Sequence, residues 1–230
     1  MPSRDLARAA AFARMSEDIM GEGDVRSTLQ RVVHRCVAAV PACDHASVSL
    51  HRRKGSDRIF AGSSPLAERC LRLQQELGEG PSVEAWTDGD SQLVRDTKNE
   101  PRWPRWCRAL ANEEGLGSLL SLRLTAADGP LGVLNLYAVG PNAFTEDDLD
   151  LALVFASHAA MAMNSARKVT GLQTAVESRH LIGVAQGLLM ARHDLTVEQA
   201  FELLRRYSTT GNIKLRDLAA EVVRQRGLPE

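Results

Sequence analysis

The sequence predicts an α+β domain, an antiparallel sheet with helices packed on it, followed by a long connecting helix and an all-α domain of three short helices. Three observations carry this. Residues 117–124 and 131–139 are apolar segments of strand length on either side of Asp128-Gly129-Pro130, a hairpin signal. A helical pattern opens at Thr145 and runs on without a Pro- or Ser-rich break. From Glu177 to Leu228 the apolar residues recur at spacings of three and four in three separate runs, each amphipathic and none able to stand alone.

Taken in order, residues 4–20 predict a helix and Gly21-Glu22-Gly23-Asp24 a break. Val25 to Val40 is a second helix, with Leu29, Val32, Val33, Cys36 and Val40 on one face and Pro41 ending it. Ala46 to His51 alternates Val48 and Leu50 with serines, which predicts a half-buried strand. A charged turn over 52–57 leads to a strand at 58–62, then a helix at 65–77. Leu77-Gly78-Glu79-Gly80-Pro81 is rich in breakers and predicts a loop extending to Trp86. A short strand at 91–94 precedes Trp103-Pro104-Arg105-Trp106, which opens a helix running towards Glu113. At Thr145-Glu146-Asp147-Asp148 the threonine caps a helix and the acids favour its positive end.

In the C-terminal region Ile182, Ala185 and Leu189 form the apolar stripe of the first short helix. Gly183, Gly187 and Ala191 form another row, which fits close approach of a second backbone or tight packing within the chain. Thr196 with Gln199 is a capping box opening the second helix, whose buried face is expected from Ala200, Phe201, Leu204 and Tyr207. Leu215, Leu218, Ala219 and Val222 line the third, with Asn212 as its expected cap and Gly227 and Pro229 as its stop.

Composition sets limits on function. The chain has 230 residues, 44% hydrophobic, and a net charge of −1. That charge is uneven: 18 basic against 22 acidic side chains over 1–164, and 10 against 7 over 165–230. A basic tail on an acidic body suits a phosphate-binding output and equally a solvated helical surface. Cys36, Cys43, Cys70 and Cys107 lack metal-ligand or C-x-x-C spacing and are expected to be ordinary reduced thiols. The six histidines are scattered, and no Gly-rich phosphate loop, HExxH or GxSxG motif is present. The start of the chain lacks a leader pattern, and Leu149 to Met163 contains Asp150 and His158 and falls short of a membrane span, so a cytoplasmic protein without a membrane partner is expected.

The tail from Arg179 to Val223 resembles an ANTAR domain, the RNA-binding antiterminator module of bacterial regulators. Ile182, Ala185, Gly187 and Leu189-Met190 match the family's first helix, Ala200-Phe201, Leu203 and Leu204 its second, and Asn212, Lys214-Leu215 and Ala219 its Asn-x-Lys-Leu-x-x-x-Ala signature. The family often carries lysine where this chain has Gln186. Upstream, LGEGPSVEAW, PRWPRW, LGVLNLYAV and AFTEDDLDLALVFASHAAMAM resemble a GAF domain over about 24–164. The resulting domain map is an N-terminal helix at 1–23, a GAF sensor-like domain at 24–164, a connecting helix at 165–178 and an ANTAR domain at 179–230.

The resemblance implies an RNA partner, paired stem-loops in messenger leaders, and control of that binding by the GAF domain. Expected RNA contacts are Gln186 and Asn212 for polar groups, and Arg179, Arg192, Arg205, Lys214 and Arg216 for phosphates. It also implies a small ligand under the loop from Gly78 to Trp86, where Trp86, Trp103 and Trp106 stack on a ring or else close the core. The ligand is open among a cyclic nucleotide, haem and none, so the cofactor is unknown. Some GAF-like proteins reduce methionine sulfoxide with pocket cysteines; Ser82 stands where they have cysteine, which argues against an enzyme. Along the connecting helix Leu151, Val154, His158, Met161, Ser165, Lys168, Leu172, Ala175 and Arg179, with Val169 and Val176 beside them, suggest a weak coiled-coil seam and a homodimer. DNA binding and a protein-interaction module are the alternatives.

Overall fold

The computed structural model describes residues 24–51, 58–110 and 115–228. The expected helix at 4–20, the charged turn at 52–57, residues 111–114 and Pro229 lie outside them. Compact units divide between Arg167 and Lys168.

In the first unit, α1 spans Val25–Ala39, and the Asp24 side chain caps it by accepting from the Ser27 N–H at 2.8 Å. Its apolar stripe, Leu29, Val32, Val33 and Cys36, is fully buried. Strands β1 (His45–His51) and β2 (Arg58–Gly62) follow, then α2 (Pro65–Leu77), capped by Ser64 with proline in the first turn. Gly78 at φ +62 closes α2 in the left-handed conformation that an L side chain resists. The breaker-rich segment that follows is not one long loop. Pro81–Asp88 forms α3, because Pro81 occupies a first-turn position where its missing N–H costs nothing.

The remainder of this unit is β3 (Gln92–Val94), α4 (Pro104–Leu110), β4 (Ser118–Ala126), β5 (Gly129–Ala138) and α5, which opens at Glu146. Thr145 and Asp148 cap each other across the first turn of α5. The five strands form one sheet in the order β2-β1-β5-β4-β3, with every neighbouring pair antiparallel. Gly132 on β5 lies against β1 so closely that a Cβ there would sit 1.8 Å from the Ser49 carbonyl oxygen.

Strand pleating divides the sheet into two unlike faces. Val48, Leu50, Leu120, Leu122, Leu134 and Leu136 pack with Leu29 and Val32 of α1 and Phe155 and Ala159 of α5 in the main core. On the other face Leu119 and Tyr137 join Val94, Cys70, Trp103 and Trp106 in a smaller core. Strand β1 is therefore covered on both faces rather than half-buried: Ser47 and Ser49, expected to meet solvent, are buried.

Helix α5 is continuous from Glu146 to His193, 48 residues, through the segment expected as a connector. In the second unit its last turns pack with α6 (Val197–Thr210) and α7 (Leu215–Gln225) around Ala185, Leu189, Ala200, Leu204, Leu218, Ala219 and Val222. Both halves of the expected capping box form, Thr196 with Gln199. Three local expectations are corrected. Asn212 does not cap α7; it sits in the preceding turn at φ +50, and Lys214 is the first capping position, without a side-chain bond. The left-handed residue after α7 is Arg226, ahead of Gly227. Phe201 and Tyr207 are 38% and 40% exposed, because Ala200 and Leu204 already fill the narrow stripe that two short helices can cover.

Candidate RNA-binding face and sensor interior

The second unit presents its charged side chains outward from a core of small and medium residues. Arg179, Arg192, Arg205, Asn212, Lys214 and Arg216 are all exposed, and Gln186 is half-buried. Their bonding separates them. The Arg192 guanidinium donates to the Arg226 carbonyl at 2.8 Å, and a Cβ on Gly227 would lie 2.5 Å from it, so Arg192 closes the end of α7. Arg205 pairs with Glu202 at 2.7 Å and Arg216 with Asp217 at 3.0 Å, exposed pairs worth little on their own. The Gln186 amide donates to the Val197 carbonyl at 3.2 Å. Arg179 and Lys214 have no carboxylate partner among the described residues.

Asn212 and Lys214 lie together in the α6–α7 turn, which the Ser208 hydroxyl braces by donating to the Ile213 carbonyl at 2.6 Å. The sequence reading missed Phe201, Tyr207 and Ile213, three apolar side chains left at the surface of this unit. Gly183 and Gly187 have open space where a Cβ would project, so this row is not packed within the described chain. Earlier in the same helix, Val169, Leu172 and Val176 are 47%, 68% and 67% exposed at spacings of three and four. Lys168 and Ala175, expected in the seam, are also exposed.

In the first unit the tryptophans part company. Trp103 and Trp106 meet edge to face at 6.1 Å and are buried. Trp103 donates to the Glu84 carboxylate at 2.9 Å, and the Arg102 guanidinium lies 4.2 Å over its ring. Trp86 lies elsewhere, stacked on His51 at 3.7 Å. The three do not line one aromatic slot; two of them close the smaller core.

The polar content of this side comes from the sheet. The Ser121 hydroxyl donates to Asn135 Oδ1 at 2.6 Å, Asn135 Nδ2 donates to Ser47 Oγ at 3.2 Å, and Ser47 meets the Tyr137 hydroxyl at 2.8 Å. All four residues are buried, and the chain crosses β4, β5 and β1 in register. Above them Gln74 of α2 accepts from the Ser82 N–H at 2.7 Å. Asn135 and the serines interrupt otherwise apolar strands, a signal legible in the sequence.

The thiols are unsuited to attack. Burial, then the carboxylates of Glu100 and Glu79, pushes Cys107 up to about 11, and burial pushes Cys43 up to about 12. Among the described residues no group of three or more His, Cys, Asp or Glu side chains is placed to hold a metal ion. No helix among them is apolar over enough length to cross a membrane.

Two family models match the chain in succession: a GAF domain over residues 22–164 and an ANTAR domain over 170–223. This chain belongs to the GAF-ANTAR family. Its two parts are regulatory domains, a sensor of the GAF type and an output of the ANTAR type, whose business is RNA-binding antitermination. Solved structures similar to the GAF-ANTAR chain agree on the sensor fold. The GAF domain of an Acinetobacter phosphoenolpyruvate-protein phosphotransferase is 17% identical at a TM-score of 0.55, over 74% of this chain and 98% of that one. The corresponding Coxiella burnetii domain gives 17% and 0.55, over 74% and 99%. A free methionine-R-sulfoxide reductase from Neisseria meningitidis, solved with its substrate, gives 16% and 0.54, over 74% and 96%. At these identities the likeness concerns the fold alone. Among curated proteins none matches the sequence.

Proposed function

We propose that this GAF-ANTAR chain binds paired stem-loops in messenger leaders and so stabilises them against a competing terminator or masking hairpin. The observation that carries the reading is the α6–α7 turn of the ANTAR domain. Asn212 and Lys214 are exposed there together, and Lys214 has no acidic partner among the described residues. Arg179 adds a second cation without an acidic partner among the described residues, while Arg205, Arg216 and Gln186 must exchange an internal partner for RNA. Arg192, engaged at Arg226, supports the domain more than the contact. Unstacked loop bases suit the exposed rings of Phe201 and Tyr207.

Two adjacent hairpins call for two copies of the output domain. Val169, Leu172 and Val176 supply an apolar stripe on which a second copy would seat, giving a homodimer through the helix. The GAF domain would then bias the helix by holding a small molecule.

The test is a binding titration of the full chain with a two-hairpin leader RNA, a single hairpin, and a DNA of the same sequence. The reading requires tighter binding to the paired RNA, with a salt dependence whose slope falls by about one for each of Arg179→Glu and Lys214→Glu. Equal affinity for DNA, or no slope change in either variant, rejects it.

A further inference from the structure

We infer that the GAF interior takes a small carboxylate, held over the Ser121-Asn135-Ser47 ladder and anchored by Arg123; the inference rests on the sensor reading above. The sheet face opposite the main core is polar at its centre, an arrangement that costs stability unless every group is answered. Three side-chain donors on this side are not answered. Gln74 Nε2, Trp106 Nε1 and Arg123 Nε are buried and have no hydrogen-bond partner. All three are donors, which calls for a molecule rich in acceptors.

Position ties the three to one region. On β4, Leu119 lies in the tryptophan core with Trp106, Ser121 is in the ladder, and Arg123 follows on the same face. Trp86 of α3 stands 5.8 Å from the Arg123 guanidinium, and α3 begins where Ser82 bonds Gln74. Gln74 and Trp106 are joined through Glu79, whose N–H donates to the Gln74 carbonyl and whose carboxylate accepts from the Trp106 backbone N–H. The donors thus come from α2, α4 and β4, three elements on the ladder's side of the sheet.

Charge selects the class. Arg123 forms no ion pair among the described residues, and its unanswered Nε suits a planar carboxylate, which takes two parallel N–H bonds. With one guanidinium and no lysine named in the site, a singly charged carboxylate matches better than a phosphate. Gln74 and Trp106 then answer acceptors elsewhere on the molecule.

The experiment melts the full chain with acetate, pyruvate, benzoate and salicylate, and with benzamide and inorganic phosphate as controls. A carboxylate at a hundredfold excess over its dissociation constant is expected to raise the midpoint by about 5–10 °C. Benzamide and phosphate are expected to leave it unmoved. Arg123→Gln should abolish the shift. Gln74→Met removes the unanswered donor but also the acceptor of the buried Ser82 N–H, so the unliganded midpoint should fall, and the carboxylate-induced shift from that midpoint should shrink. An undiminished carboxylate shift in Gln74→Met or Arg123→Gln, or no response to any carboxylate, overturns the inference. Mass spectrometry of small molecules released by denaturing the purified chain separates the two ideas. A neutral or phosphorylated molecule overturns the carboxylate and leaves the sensor standing; none released, with no response to any probe, overturns both.

Discussion

The guanidinium of Arg192, near the end of the long helix, donates to the backbone carbonyl of Arg226, 34 residues later, at 2.8 Å. A carbonyl left open at the C-terminus of α7 is satisfied by a cation from α5, tying the last helix of the ANTAR domain to the first. Arg192→Ala is expected to cost about 1 kcal/mol in urea unfolding of the C-terminal unit. The salt slope of RNA binding should change less than in Lys214→Glu, because this cation is already engaged.

The seam at Val169, Leu172 and Val176 predicts a different response. Leu172→Lys with Val176→Glu removes apolar contact from the proposed dimer but leaves each exposed side chain solvated in a monomer. Sedimentation should show wild type as a dimer and the double variant as a monomer of unchanged helicity. A monomeric wild type at micromolar concentration, with and without RNA, refutes the seam.

The capping box gives a local test. Thr196 accepts from the Gln199 N–H at 3.3 Å, and the Gln199 side chain returns the bond to the Thr196 N–H at 2.9 Å. Thr196→Ala is expected to cost about 1 kcal/mol, read as a lowered urea midpoint of the C-terminal unit. An unchanged midpoint shows that α6 is held by packing alone.

The buried thiols predict an alkaline limit. Cys43 stays protonated in the folded chain to about 12, while the unfolded chain ionises near the ordinary value of 9.0. The folded value is raised, so stability is complete below about pH 9 and declines as pH climbs towards 12. Urea midpoints between pH 8 and 11 should fall, and Cys43→Ala should flatten the decline. Native labelling at pH 8 should reach Cys107 alone, since Cys36, Cys43 and Cys70 are buried.

Much of this was legible in the chain itself. The β4–β5 hairpin, the strand at Arg58–Gly62, the helix at Pro65–Leu77 and the Thr196 box lie where periodicity and local capping chemistry put them, because those signals act between near neighbours. The short helix at Pro81 is not legible from the breakers around it, because proline interrupts a helix interior but in a first turn starts one. Asn212 looks like a cap, yet its small polar side chain also tolerates a left-handed turn, and the Ser208 brace selects that outcome.

The sequence by itself determined the order of the two domains, the hairpin at the centre of the sheet, the capping of the short helices and the family to which the motifs belong. These follow from residues a few positions apart, or from a pattern carried along one segment. The tertiary structure alone decided which charges are already spent, as Arg192 is on Arg226. It also decided that Trp86 leaves Trp103 and Trp106, and that Ser47, Ser121 and Asn135 turn inward beneath Gln74. Strand alternation tells which residues share a face but not what covers it; cover comes from helices distant in sequence, and whether a polar group is solvated or buried depends on that cover.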